Sequence, residues 1–296
     1  MKPAPFAYHR PFDLDDVVDL LAEFEGEAKI LAGGQSLTPM LALRLAYFDN
    51  LIDITRLPEL QGIERRGDVL RIGAGTTHAT VGADAQVGVD VPLLAQVTPF
   101  IGHFQIRNRG TFGGAVAHAD PAGEYPLIAL TLDASMEAVS KSGTRQIPAA
   151  DFFTGLWETA LDSEEVLAAV EIPVWSGRIG FGFHEFARRH GDFAIAGAAV
   201  AVQLTDTGRV ERAAIGLMGL GSTPLRASVA EQAVTGAALE DMTADEIGRS
   251  AMAGLDEVPS DQQGSVAYRT RVGAAMVARA WTDAIAAAHV KETVHA

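Results

Sequence analysis

Gln105-Ile106-Arg107-Asn108-Arg109-Gly110-Thr111-Phe112-Gly113-Gly114 runs directly on toward Ala117-His118-Ala119-Asp120-Pro121. About eighty positions earlier stands a second glycine pair, in Leu31-Ala32-Gly33-Gly34-Gln35-Ser36-Leu37. Adjacent glycines let the backbone come within hydrogen-bonding distance of a ligand and point several N–H groups at it. Each pair leads into a stretch of helical character, which adds a partial positive charge at the same place. Two such loops in one chain suit a long, doubly charged ligand held at more than one point, and a dinucleotide has that shape. A tight strand-to-helix turn with no ligand is the plainer alternative for either loop alone.

Composition narrows the field. With 296 residues, 48% of them hydrophobic, the chain can bury a sizeable core and is expected to divide into two or three parts. A formal charge of −15 argues against nucleic-acid or anionic-membrane surfaces, which need clustered Lys and Arg. No run approaches a membrane span and no apolar leader follows Met1-Lys2-Pro3, so the sequence reads as soluble and cytoplasmic. The sequence contains no cysteine, which excludes disulfides, thiolate nucleophiles and all-Cys iron–sulfur ligation. Its eight histidines are dispersed without metal-ligand spacing. Any redox chemistry in this chain therefore needs an organic cofactor, and the sequence offers no metal site.

Along the chain, Asp13 is expected to cap a helix that buries Leu14, Val17, Val18, Leu20 and Leu21. Lys29–Ala32 reads as a strand entering the first glycine loop, with Ser36 as cap of the next helix and Leu51–Ile54 closing a βαβ-like unit. Short strands such as Val69–Ile72 follow, then a helix over Val91–Val97. Asp120-Pro121 has the form of an N-cap followed by proline at the first helical position, although Pro126 demands a kink or a later start. Met136–Ser140 and Arg145–Pro148 form a hairpin, and Val166–Ile172 is a strand that Pro173 ends. Beyond Val174–Arg178 come strands over Phe181–Ala187, Ala196–Leu204 and Arg212–Leu220, a helix over Ala227–Gly236 and a long alanine-rich helix over Val272–Ala288.

These segments together resemble the FAD-binding medium subunit of molybdenum hydroxylases. That family includes the flavoproteins of aerobic carbon monoxide dehydrogenase and the flavin domain of xanthine dehydrogenase. Asp151-Phe152-Phe153-Thr154-Gly155, Arg188-Arg189-His190-Gly191-Asp192-Phe193-Ala194 and Pro224-Leu225-Arg226-Ala227 match later segments of its pattern, so the likeness spans nearly the whole chain. It implies an α+β architecture: an FAD-binding fold of the vanillyl-alcohol-oxidase/PCMH type in two subdomains, 1–56 and 57–175. A C-terminal subdomain of antiparallel strands with helices, 176–296, completes it.

The resemblance also implies roles. Ala32, Gly33, Gly34, Gln35 and Ser36 wrap the FAD pyrophosphate. Gly110, Thr111, Gly113 and Gly114 supply hydroxyl and backbone contacts near diphosphate and flavin. Ile101 packs on the cofactor, Glu124 meets the ribityl chain or ring edge, and Leu161 lies beside the flavin or its adenine. Phe193 falls where relatives carry an aromatic near the isoalloxazine ring. Asp120 is either a flavin contact or only a helix cap. His184 and Glu185 stand where relatives often place a basic residue, so the contact that relatives make there is not carried over. Arg107 and Arg109 order the loop, and no residue is assigned as catalytic.

The function implied is electron relay. A large partner carries the molybdenum cofactor, a small partner carries two [2Fe–2S] clusters, and FAD in this chain passes the electrons to an external acceptor. The expected assembly is a dimer of heterotrimers (a heterohexamer), with substrate choice written in the large subunit. Two other readings are a stand-alone FAD oxidoreductase, which needs its own pocket and proton donor, and a noncatalytic scaffold, which need not retain both glycine loops.

Overall fold

The structure is a computed structural model that describes residues 2–290. Its first sheet is the expected βαβ-like unit: three parallel strands in the order Ala7–His9, Asn50–Asp53, Ala28–Leu31. The helix Leu14–Glu23 lies on it. Asp13 caps that helix by accepting from the amide of Asp16 at 2.8 Å, and Val17, Val18 and Leu21 are buried with Ile52 and Ile54.

A five-stranded antiparallel sheet follows, in the order Ile63–Arg66, Val69–Gly73, Val166–Pro173, Ser135–Ser140, Gly143–Pro148. The last strand in sequence enters at its centre, so this sheet closes only after its four other strands have been made. The intervening helices, including Phe112–His118 and Glu124–Thr131, fill the core beside it.

The third sheet is antiparallel, in the order Arg178–Phe186, Ala196–Leu204, Val210–Met218, Leu225–Arg226. Its second strand is a continuous run of small and β-branched residues because both faces are buried. Ala199 and Ala201 face the N-terminal half, while Ala198, Val200 and Val202 face the helix Val266–Val290. That helix lies almost on the sheet backbone: a Cβ at Gly180 would sit 2.6 Å from the amide nitrogen of Ala288, and one at Gly182 2.9 Å from the carbonyl carbon of Ala280. On the other face, a Cβ at Gly216 would sit 2.8 Å from Leu127 Cδ1 in the helix Glu124–Thr131.

The two halves share one apolar core, which runs from Leu70 and Ile72 through Tyr125 and Leu127 to Phe181, Phe183 and Met218. Polar ties reinforce the seam. Arg226 donates to Glu231, to Asp133 and to the carbonyl of Leu130, Arg212 donates to Asp133 and stacks 3.9 Å from the Trp175 ring, and Gly219 N–H donates to the carbonyl of Pro121.

Three local expectations need correction. Ser36 precedes the helix Leu37–Ala42 in helical conformation, and its hydroxyl makes no cap. Asp120 caps no helix; of the kink or later start that Pro126 demands, the later start holds, at Glu124 with Gly123 at its cap, because Pro126 then falls in the first turn where its missing N–H costs nothing. The terminal helix begins at Val266, about one and two-thirds turns before Val272, through Tyr268 and Arg269.

Candidate functional site

The two glycine loops touch. A Cβ at Gly33 would stand 2.6 Å from the Cα of Gly110 and 2.7 Å from the carbonyl carbon of Arg109. A Cβ at Gly114 would stand 3.3 Å from that of Ala32. Glycine is therefore needed at 33 for loop-to-loop approach and at 34 for its left-handed backbone, φ +71°. Gln35 folds back, its amide donating to the carbonyl of Gly33 at 2.9 Å.

The amides of the first loop are the notable feature. Among the described residues, the N–H groups of Gly34, Gln35 and Ser36 donate to no protein acceptor. Consecutive free amides around a left-handed residue form a concavity suited to an anion. The helices that follow the two loops, Leu37–Ala42 and Phe112–His118, are short, so these amides rather than long helix dipoles make the cradle. The donor set fits a diphosphate.

The second loop is held from behind by a segment the sequence reading passed over, Gly73-Ala74-Gly75-Thr76-Thr77-His78. Gly113 N–H donates to Ala74 O, Phe112 N–H to Thr76 O and His78 N–H to Gly110 O, while Thr111 accepts from Gly114 N–H at 3.1 Å as the helix cap. His78 Nε2 lies 2.9 Å from Thr111 O, and the ring packs edge-on to Tyr125. Burial holds His78 down to about pKa 4, so it is neutral. The signal for this segment was present: a strand ending in Gly-x-Gly followed by two threonines. Lys29, on the strand just before the first loop, was also passed over. Its ammonium lies 5.8 Å from the Phe48 ring centroid, and desolvation lowers its pKa.

Asp120 is a turn cap and an anchor. One carboxylate oxygen accepts from Ala122 N–H at 2.9 Å, and the other accepts from Trp157 Nε1 at 3.0 Å. Trp157 stacks near-parallel on His118 at 6.3 Å. Arg107 donates to the carbonyls of Pro99, Ile101 and Gly102, which fixes the segment bearing Ile101. Ile101 and Leu161 are half-buried at the edge of the main core. Phe193 is 56% exposed, in a surface depression with Arg188, Asp192 and Gln263. Its turn reaches the Ile101 segment through Gly191, where a Cβ would meet Gly102 at 3.1 Å.

Glu124 opens its helix with no cation beside it. Burial, with Asp120 adding, raises its carboxyl to about pKa 7. Glu185, on the strand Arg178–Phe186, is raised to about 8 by burial and then by the charge on Glu124.

Comparison with known proteins matches the chain over most of its length. Residues 4–175 match the model for the FAD binding domain in molybdopterin dehydrogenase, and residues 181–284 that for the CO dehydrogenase flavoprotein C-terminal domain. The chain is 38% identical to the 6-hydroxypseudooxynicotine dehydrogenase complex subunit alpha of Paenarthrobacter nicotinovorans, covering 96% of each. It is 36% identical to the carbon monoxide dehydrogenase medium chain of Afipia carboxidovorans, covering 95% of this chain and 96% of that one. Among solved structures, a chain of carbon monoxide dehydrogenase from Hydrogenophaga pseudoflava superposes with a TM-score of 0.94 at 36% identity, covering 97% of this chain and 99% of that one. On sequence and fold alike, the chain belongs to the family of FAD-binding medium subunits of molybdenum-containing dehydrogenases.

Proposed function

We propose that the chain holds FAD between its two glycine loops and works as the electron-relay subunit of a three-chain dehydrogenase. The observation that carries this is the free amide row of Gly34, Gln35 and Ser36, which follows directly on the contacts of Gly33 with Gly110 and of Ala32 with Gly114. Ala32 to Ser36 bind the diphosphate through backbone N–H groups. Gly110, Thr111, Gly113 and Gly114 close the cradle from the other side, and Lys29 adds positive potential behind it. Ile101, Leu161 and Phe193 supply apolar walls, and Glu124 supplies a carboxyl at the ring or ribityl end. Asp120 holds the turn that carries Glu124. Bound FAD supplies two-electron chemistry that converts single-electron delivery into reduction of an external acceptor.

The partners in this reading are a large subunit with the molybdenum cofactor and a small subunit with two [2Fe–2S] clusters, assembled as a dimer of heterotrimers in the cytoplasm. Segments 1–56 and 57–175 form the two parts of the flavin fold, and 176–296 the C-terminal part. Among the described residues no helix is long and apolar enough to cross a membrane.

Calorimetric titration of the purified chain with FAD and with FMN tests the cradle. The expected result is one FAD per chain and far weaker FMN, since FMN lacks the diphosphate. Equal affinity for both, or none for either, overturns the assignment. Gentle purification from the source tests the assembly: elution as a 31.2 kDa monomer or self-dimer with bound flavin would count against the relay.

A further inference from the structure

Three stretches of chain, far apart in sequence, meet on one side chain of the terminal helix. Arg269 is 4% exposed. Its Nη1 donates to the carbonyl of Ile195 at 2.6 Å and to that of Gly219 at 3.1 Å. Its Nη2 donates to both carboxylate oxygens of Asp261, at 2.9 and 2.7 Å. Among the described residues its buried Nε has no hydrogen-bond partner, so the two ends of the guanidinium are its points of attachment.

Two of these partners hold the walls of the depression around Phe193. Ile195 stands two residues after Phe193, and Gly191, two residues before it, lies against Gly102, where a Cβ would come within 3.1 Å. The exposed ring is therefore hung between two fixed points, one of them made by Arg269. On the opposite wall, Asp261 accepts from the amides of Gln263 at 2.8 Å and Gly264 at 3.2 Å, and Gln263 lines the same depression. The third partner anchors the hub to the flavin half. Gly219 has left-handed backbone, φ +73°, presses on Ile195 (a Cβ would stand 2.7 Å from its carbonyl oxygen) and donates its own N–H to Pro121 O at 2.8 Å.

Across the surface the two walls are also joined by Arg188, which donates to Gln262 O at 2.8 Å. Water competes for that exposed bond, whereas the bonds of Arg269 to Ile195 and Gly219 are buried. A charged donor in a dry setting holds its acceptors more firmly, and a planar fork fixes their direction as well as their distance.

We propose that Arg269 is a positioning residue of the flavin site: from the buried side, it holds the Phe193 turn and the loop bearing Gln263 as one unit. The flavin consequence rests on the cofactor assignment above, while the coupling of the two walls does not.

The coupling is tested on the full chain without cofactor, by amide hydrogen exchange. Arg269→Met is expected to raise exchange by about tenfold or more in both 191–195 and 261–264, with the strand Ala28–Leu31 unchanged. Exchange unchanged in both segments, or raised in one alone, overturns the proposal. Arg269→Lys keeps the charge with a single point donor and serves where the methionine variant does not fold; the same two segments should loosen together. FAD affinity is then measured in Arg269→Met, Phe193→Ala and the double variant. Each single change is expected to weaken binding by roughly 3- to 10-fold, the worth of one aromatic contact, and the double variant by clearly less than the product of the two. Losses that multiply place the action of Arg269 elsewhere than on Phe193 and overturn the proposal, as does full affinity in either single variant. A chain whose two walls loosen together but which takes up no FAD even as wild type refutes the cofactor assignment and upholds the coupling.

Discussion

Replacing Gly33 by alanine is the sharpest test of the double-loop cradle. The added methyl would overlap the carbonyl oxygen of Arg109 and stand 2.6 Å from the Cα of Gly110, against the 3.4 Å at which ordinary contact begins, so the loops must part by at least roughly 0.8 Å. Both walls are backbone, and no side chain can swing away to absorb the shift. Overpacking costs about 1–3 kcal/mol, and a purely backbone clash belongs at the upper end. At about 2–4 °C per kcal/mol for a chain of this size, the melting temperature should fall by roughly 6–12 °C.

The effect on FAD should be larger. Amides set for bonds of about 2.9 Å move out to about 3.7 Å, beyond useful range. Losing two bonds to a charged phosphate, at about 1.5–3 kcal/mol each, weakens binding by roughly 10²- to 10⁴-fold. The assay is flavin titration beside a thermal melt of the cofactor-free chain. Gly88→Ala is the control, because a Cβ there meets nothing and the helix Ala85–Asp90 gains about 0.5–1 kcal/mol. A Gly33→Ala chain that melts like wild type and binds FAD within about threefold of it refutes the reasoning.

Further outcomes follow from other contacts. Gly114→Trp should abolish FAD uptake while the chain stays folded, since its side chain enters the space between Thr111 and Ala32; stoichiometric flavin in that variant would displace the site. His78 is neutral when buried, so the unfolded chain gains a proton first as pH falls. Its contribution is full above pH 6.5, erodes down to about pH 4 and is gone below that, a difference of about 3 kcal/mol that His78→Gln should remove from the pH–stability curve. Arg226→Met leaves Asp133 and Glu231 without their shared cation and should cost about 2–4 kcal/mol in denaturant melts, an effect absent if the seam is loose. Asp120→Asn keeps an acceptor for the turn and should bind FAD normally at a cost of about 1 kcal/mol; loss of flavin there would make Asp120 a direct contact.

Much of the fold was written locally. Asp13 as cap, the parallel unit around the first loop and the hairpin over Ser135–Pro148 follow from capping, period and turn residues. What stayed hidden depends on distance along the chain. The central place of Val166–Pro173 is a pairing choice between strands, and the approach of Gly33 to Gly110 is a tertiary contact; neither leaves a local mark. Asp120-Pro121 misled because a good cap followed by proline also suits a plain turn, and Pro126 decided where the helix could start. Thr76, Thr77 and His78 escaped because their work is to hold other backbone in place, which no residue type advertises.

The core that crosses from Leu127 and Tyr125 to Phe181 and Met218 separates two kinds of unit. The chain matches two family models that meet near residue 178, yet the hydrophobic interior has no break there. The two matches divide the chain by sequence, and its core does not divide with them. A gene cut between Pro173 and Arg178 should yield two fragments that are each insoluble alone and recover flavin binding only when expressed together.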